Sequence, residues 1–241
     1  MKRFVVGLAM VMMLMAGGPA AAAEATAAVD VNSAYVWRGI TFNDGMVAQP
    51  SIDVTNGKFG INVWGNYDID DYDGALDDNE FSEVDLTLYY GFTLDPVEIG
   101  IGVIEYLFPA GAESTHEAYL SLGLPIAGGL SLGAAAYYDF DQVDGFYGNV
   151  SIAYGLDLSE AIGMEISAAA GYADEDFAEA YGGEDGGLFD YTLSLGLSYA
   201  VTEAWSLGAS INYVDTLDDD VLLEDLADTN LYGGISVAYV F

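Results

Sequence analysis

The chain has no cysteine, one histidine and four basic residues among 241. Each scarcity excludes something. Without cysteine there is no disulfide framework and no lipobox for a lipid anchor. With His116 as the sole imidazole, the common nucleophile–base pairs all depend on one residue. Lys2, Arg3, Arg38 and Lys58 stand against 39 acids. So few cations cannot neutralise a phosphate backbone, so no nucleic-acid partner is expected. Nor does any cofactor motif occur, and no cofactor is expected. Beyond the N-terminus no apolar run approaches the roughly 20 residues of a membrane-spanning helix.

What is present begins with a three-part leader. Lys2 and Arg3 form a basic start, an apolar run follows from Phe4 to Met15, and small residues close it at Ala20 to Ala23. This is the layout of a secretory signal peptide. Cleavage is expected after Ala23, with Ala21 and Ala23 as the small residues the peptidase reads. That divides the chain into a signal peptide, 1–23, and a mature region, 24–241. Acidity with few aromatics would suggest disorder. Here 13% of residues are aromatic and 18 are tyrosine, which argues for a folded chain.

The mean hydropathy is +0.30, yet the apolar residues are dispersed. They alternate. Tyr191, Leu193, Leu195, Leu197, Tyr199 and Val201 are interleaved with Thr192, Ser194, Gly196, Ser198 and Ala200. Trp205, Leu207, Ala209, Ile211 and Tyr213 repeat the pattern. Period-two alternation reads as strand. The spacing predicts about twelve strands: 27–38, 47–55, 59–69, 82–93, 97–108, 116–125, 130–141, 146–158, 164–174, 188–201, 205–215 and 231–241. Connections after even strands are short, such as Asn56-Gly57-Lys58 and Thr202-Glu203-Ala204. Several after odd strands are long and acidic: 71–80, 175–187 and 217–230. The fold class expected is therefore all-β, a transmembrane antiparallel up-and-down β-barrel in the bacterial outer membrane, with termini and short turns in the periplasm. A soluble sandwich shares the period, but its polar face would not be so poor in lysine.

Outward aromatics should gather in two girdles at headgroup depth. Trp37, Tyr67, Tyr138, Phe140, Tyr172, Phe189 and Tyr213 fall near the loop ends. Phe59, Tyr90, Phe92, Tyr154, Tyr199, Trp205 and Tyr239 fall near the turns. Tyr239 and the terminal Phe241 read as the signal for the barrel-assembly machinery.

On the inward parity, Arg38 is the sole cation, near the outer end of the first strand. Asp68, Glu83, Asp85, Tyr106, Glu117 and Tyr119 are candidates to line a constriction with it. Acid rings select for positive ions. The alternative is that Arg38 only pairs carboxylates within a filled lumen. The run Ser114, Thr115, His116, Glu117 holds the parts of a triad, though adjacency does not bring such groups together. Asp71, Asp73, Gly74 and Glu80 resemble a calcium loop, but Ile69 stands at the first ligand position and the motif fails. Asp218 to Asp220, Glu224 and Asp225 form either a loose divalent site or a solvated acidic loop.

The run Ser33, Tyr35-Val36-Trp37-Arg38-Gly39-Ile40-Thr41, followed by Gln49, Asp53, Phe59-Gly60 and Trp64, resembles the N-terminal signature of the TorF-type porin family. Glu83-Val84-Asp85-Leu86 with Tyr90-Gly91, then Tyr106, Pro109 and His116-Glu117-Ala118-Tyr119-Leu120, are similar to its next motifs. The resemblance covers roughly residues 29 to 122. It implies an outer-membrane barrel of porin type and supplies no substrate. Glu105 departs from the pattern by falling on the lipid-facing parity, through an interface position, a bulge or a different register. The reading is thus a channel for passive diffusion of small hydrophilic solutes, cation-leaning and surrounded by outer-membrane lipid. The alternatives are a non-conducting structural or docking barrel and, third, a barrel enzyme using His116.

Overall fold

The computed structural model describes residues 23–70, 79–109 and 111–241. The leader expected at 1–23 lies, apart from Ala23, outside the described residues, Ala21 included, as do Asp71, Asp73 and Gly74 of the calcium-like run. In chain order the strands are β1 (Glu24–Asn32), β2 (Tyr35–Trp37), β3 (Ile40–Asn43), β4 (Val47–Asn56), β5 (Phe59–Asp68), β6 (Glu80–Leu94), β7 (Val97–Leu107) and β8 (Thr115–Pro125). They continue as β9 (Leu130–Asp139), β10 (Phe146–Asp157), β11 (Ile162–Ala173), β12 (Gly187–Ala200), β13 (Trp205–Thr216) and β14 (Leu231–Val240). One short helix, α1 (Glu175–Ala180), sits between β11 and β12.

Twelve strands, all but β2 and β3, form a closed antiparallel barrel. The chain meanders from β4 to β14, and β1 closes the ring between β14 and β4. Closure leaves no sheet edge, which is what a spanning sheet needs where no water can satisfy a free N–H. Among the described residues no helix is long and apolar enough to cross a membrane. The alternation is carried through as read. Ile52, Val63, Val103, Leu122, Val150 and Ile166 stand exposed on the outer face. An apolar band of this extent suits lipid and would be an aggregation liability in water. Pro50 sits in β4 where the β4–β5 pairing is interrupted between Ala48 and Ser51 without a change of register. It has no N–H to give to the ladder.

The first strand departs from expectation. It does not run on through residue 38. β1 ends at Asn32, and residues 35–43 turn inward as a separate two-stranded hairpin, β2–β3. Its two-residue tip, Arg38-Gly39, has positive φ at both positions, 49° and 82°. That is the twist a tight hairpin of the I′ kind requires. The hairpin base lies by the β1/β4 seam. Its tip reaches the far wall, where Gly39 lies against Asp190 of β12. Residues 35–43 therefore form a bar across the loop end of the lumen.

Two further segments fold onto that bar. Asp174 caps α1 by accepting from the Phe177 N–H at 2.9 Å, and α1 directs Phe177 inward. The 217–230 loop, expected to be solvated, contributes Val221, Leu222 and Ala227. These pack with Ile40, Tyr147, Ala173, Phe177, Ala178 and Phe189 into one buried cluster, flanked by Trp37, Tyr137 and Tyr181. Each large side chain so buried contributes about 1.5–3 kcal/mol. Thr41 N–H donates to the Leu226 carbonyl at 2.7 Å, and Thr229 N–H to the Thr41 hydroxyl at 3.0 Å. The barrel thus carries a small hydrophobic core at its loop end, a plug.

The plug corrects two girdle assignments. Trp37 packs inside the lumen. Phe189 is fully buried, because the β11–β12 register shifts between Ala170 and Tyr172 and leaves an extra residue in β12. Such a bulge re-aims a side chain. Tyr138, Phe140, Tyr172 and Tyr213 do stand exposed near the loop end, and Phe59, Tyr154, Tyr199 and Trp205 near the turn end. Glu105 is outward with no register break, since Glu105 pairs with His116 in an unbroken β7–β8 ladder. It lies two residues from the outer end of β7, an interface position.

Candidate functional site

Arg38 reaches the far wall from the hairpin tip. It does not sit on the first barrel strand, as its parity suggested. Its Nη1 and Nη2 donate to Glu117 Oε1 and Oε2, each at 2.7 Å. The side chains are 8% and 2% exposed, so the pair is removed from water. The fork-on-fork geometry is the strong form of this contact. Tyr106 on β7 donates to the same Oε2 at 2.8 Å. The guanidinium carbon also lies 4.2 Å from the Trp37 ring centre, 4.3 Å from Tyr137, 4.6 Å from Tyr147 and 5.5 Å from Phe177. A desolvated cation is attracted to such faces. Burial by itself disfavours the Arg38 charge. The bonds and charge of Glu117 outweigh it, and the proton is held more tightly than in water.

A belt of acids surrounds the bar at the same level. Tyr35 donates to Glu83 Oε2 at 2.8 Å. Asn43 donates to Asp68 at 2.6 Å, Thr115 to Asp139 at 2.6 Å, and Tyr147 to Asp190 at 2.8 Å. Burial, then Glu83, hold the Tyr35 hydroxyl proton well above its ordinary affinity. Asp85 follows Glu83 on the inward face of β6, and its Oδ1 is buried without a partner. The residues expected at a constriction thus divide into three groups. Arg38, Tyr106 and Glu117 meet directly. Asp68, Glu83 and Asp85 line the same level. Tyr119 lies one step toward the turns, its ring 5.8 Å from that of Tyr137.

Sequence reasoning missed Tyr137, Tyr147 and Phe177 as partners of Arg38. The two tyrosines carry the inward parity of β9 and β10, which was the available signal. Between hairpin and wall lies a cavity of about 30 Å³, bordered by Trp37, Glu83, Tyr106, Glu117, Asp139 and Phe177. That is room for about one water.

The turn half of the lumen is different. Many of its inward residues are glycine or serine. Gly91, Gly100, Ser121 and Gly123 border a recess of about 510 Å³ with Glu98. Gly155, Gly163, Gly196 and Ser198 border another of about 390 Å³ with Asp157 and Glu165. Gly60 faces inward under Tyr89, whose ring occupies the space a Cβ would take. The Tyr89 hydroxyl donates to Asp53 at 2.9 Å. No described cation faces this vestibule, since Lys58 lies in the first turn over the outward rings of Tyr90 and Phe92.

The Ser114–His116–Glu117 run does not converge. Glu117 points into the lumen, whereas His116 points outward between Asp141 at 2.8 Å and Glu105 at 3.8 Å. Among the described residues no group of three or more potential ligands is placed to hold a metal ion.

A closed twelve-stranded barrel with an apolar belt and a polar interior belongs to the class of transmembrane β-barrels. Within that class, this chain belongs to the family described as "Bacterial protein of unknown function (Gcw_chp)", whose model matches residues 16–234. The TorF description is not the one this family model carries. No curated protein matches the sequence. Among solved structures the chain is similar to a KdgM porin in complex with disordered oligogalacturonate, at 12% identity and a TM-score of 0.58, covering 90% of this chain and 99% of that one. It is also similar to the NanC porin, at 11% identity and 0.55, over 89% and 98%. A third likeness is to the COG4313 outer membrane channel from Pseudomonas putida F1, at 9% identity and 0.52, over 93% and 97%. These likenesses establish the fold.

Proposed function

We propose that the protein is an outer-membrane channel of the porin class for small hydrophilic solutes, cation-leaning, and closed at its loop end in the conformation described. The observation that carries this is the charge of the vestibule. Glu98, Asp157, Glu165 and Asp53 face a lumen whose other lining includes glycine, serine, threonine, asparagine and tyrosine, and no cation among the described residues faces it. Acids lining a narrow passage raise the local concentration of positive ions and repel anions. The oligogalacturonate of the KdgM complex is a polyacid. A lumen of this sign is unsuited to such a solute, so the shared fold does not carry the solute across.

The test is conductance in a planar bilayer under a salt gradient. A reversal potential of the cation-selective sign is expected. An anion-selective sign overturns the reading. The packed plug favours one second reading, a docking or structural barrel. Absence of conductance both in the intact protein and after residues 35–43 are replaced by a short glycine–serine linker decides for it.

A further inference from the structure

We infer that the wall pocket built around Glu117 is a binding site for small alkylguanidinium solutes, and that Arg38 occupies it as a tethered stand-in for them. The solute class rests on the channel reading, while the site itself does not. Four consecutive barrel strands supply the pocket: Tyr106 from β7, Glu117 from β8, Tyr137 from β9 and Tyr147 from β10. Three of these side chains are oriented by bonds that do not involve Arg38. The Glu117 carboxylate receives the Tyr106 hydroxyl, and the Tyr147 ring is held by its bond to Asp190. What results is a buried carboxylate with both oxygens presented to a fork, and two aromatic faces beside it. This is the chemistry that recognises a planar guanidinium: two parallel N–H···O bonds and stacking.

The occupant comes from elsewhere. Arg38 sits on a two-stranded hairpin that pairs with no barrel strand. A plug does not need a salt bridge to hold it, because well-packed apolar residues hold one at least as well. A charge-matched pocket on the fixed wall, filled by a side chain on a separable segment, is instead the arrangement of an intramolecular competitor. A solute presenting the same head competes with the tip of the bar. The acidic vestibule concentrates such a solute beside it. The cavity of about 30 Å³ bordering Glu117 gives the displaced contacts some slack. Tethering gives Arg38 a high effective concentration at the pocket, so the apparent affinity for a free competitor is reduced accordingly.

The experiment uses the folded full-length barrel in detergent, with agmatine as the alkylguanidinium probe and sodium chloride at equal ionic strength as the reference. Thermal unfolding is followed for the wild type, Arg38→Ala and Arg38→Ala/Glu117→Gln. Arg38→Ala is expected to be stabilised by agmatine at concentrations about tenfold or more below those the wild type needs. The double variant is expected to show no agmatine-specific shift. If Arg38→Ala does not fold, Arg38→Lys serves. It keeps a charge but loses the fork, and its agmatine response is expected to lie between those of the wild type and an empty pocket. An agmatine response no greater than that of sodium in the single variants overturns the inference. So does an equal response in the double variant. Agmatine binding in a barrel that never conducts leaves the site standing and removes the channel. Conductance without agmatine-specific binding does the reverse.

Discussion

Replacing Glu117 by glutamine is the sharpest probe of the plug. The substitution is nearly isosteric, so it leaves no cavity. It removes the negative charge and turns one acceptor toward Arg38 into a donor. The Arg38 guanidinium, 8% exposed and bonded to both carboxylate oxygens, is then a buried charge facing an N–H. Removing one partner of a buried ion pair costs about 3–5 kcal/mol. If that loss falls on the contact between bar and wall, the population with the bar released rises by about 10²- to 10³-fold or more, at 1.4 kcal/mol per factor of ten. The chain provides its own reporter. Beyond Arg3 the chain's only lysine or arginine residues are Arg38 and Lys58, so trypsin has two sites in the barrel. Cleavage at Arg38–Gly39 requires the hairpin tip to leave the wall. Where closing outpaces cleavage, the cutting rate follows the open population. Mass spectrometry of timed digests should therefore show Arg38 protected in the wild type and cut faster by that factor in Glu117→Gln. Cleavage at Lys58, in the first turn at the other end, should be unchanged. Equal protection of Arg38 in both proteins would refute the argument that this pair holds the bar.

Four other outcomes are expected. Gly39→Ala should release the tip too. Its φ of 82° is unfavourable for a residue with a Cβ by about 1–2 kcal/mol, and that Cβ would sit 2.6 Å from Asp190 Cβ and 2.8 Å from Leu222 Cδ2; the same digest reads it. Glu98→Gln/Glu165→Gln should move the bilayer reversal potential toward zero and leave the trypsin pattern unchanged, because both acids line the vestibule away from the plug. Deleting Phe241, which is 72% exposed on the outer face and rings against Tyr239 at 4.9 Å, should lower the amount of barrel inserted in cells, measured in membrane fractions, without changing the conductance of protein refolded in detergent. N-terminal sequencing of the exported chain should begin at Glu24.

The barrel was legible because its signal is repeated. Twelve segments each place apolar residues on alternate positions, and an error in one does not disturb the count. The plug was not legible because it breaks that rule once in each of three places. Tyr35 and Trp37 continue the parity of Val29 and Val31, so they read as more of the outer face. The break lies in Ser33-Ala34, and the Arg38-Gly39 pair between Trp37 and Ile40 is the turn signal that was passed over. Leu188-Phe189-Asp190-Tyr191 holds apolar residues on both parities, which only a bulge reconciles. In the acidic 217–230 loop, Val221, Leu222 and Ala227 supply a buried face within a run whose charge suggested solvent throughout. The site suffered accordingly. Glu117, Tyr106 and Arg38 could be named from parity and charge, but not the element that brings them together.

Charge scarcity gives the plug its specificity. A lumen with many cations would offer Glu117 several partners and the hairpin several resting places. Here the belt at the loop end holds Asp68, Glu83, Asp85, Glu117, Asp139 and Asp190, while a single guanidinium is within reach. Tyr35, Asn43, Thr115 and Tyr147 already bond four of the competing carboxylates. Glu117 is the one that receives both arms of Arg38, with Tyr106 completing its acceptors. The neutral donors therefore do more than satisfy buried acids. They withdraw four of the five alternatives, so that one ion pair sets where the bar rests. A second cation on the belt, for example Asp139→Lys, should broaden that single resting position into several even where total stability is unchanged, and more than one conductance level in single-channel records is the corresponding readout.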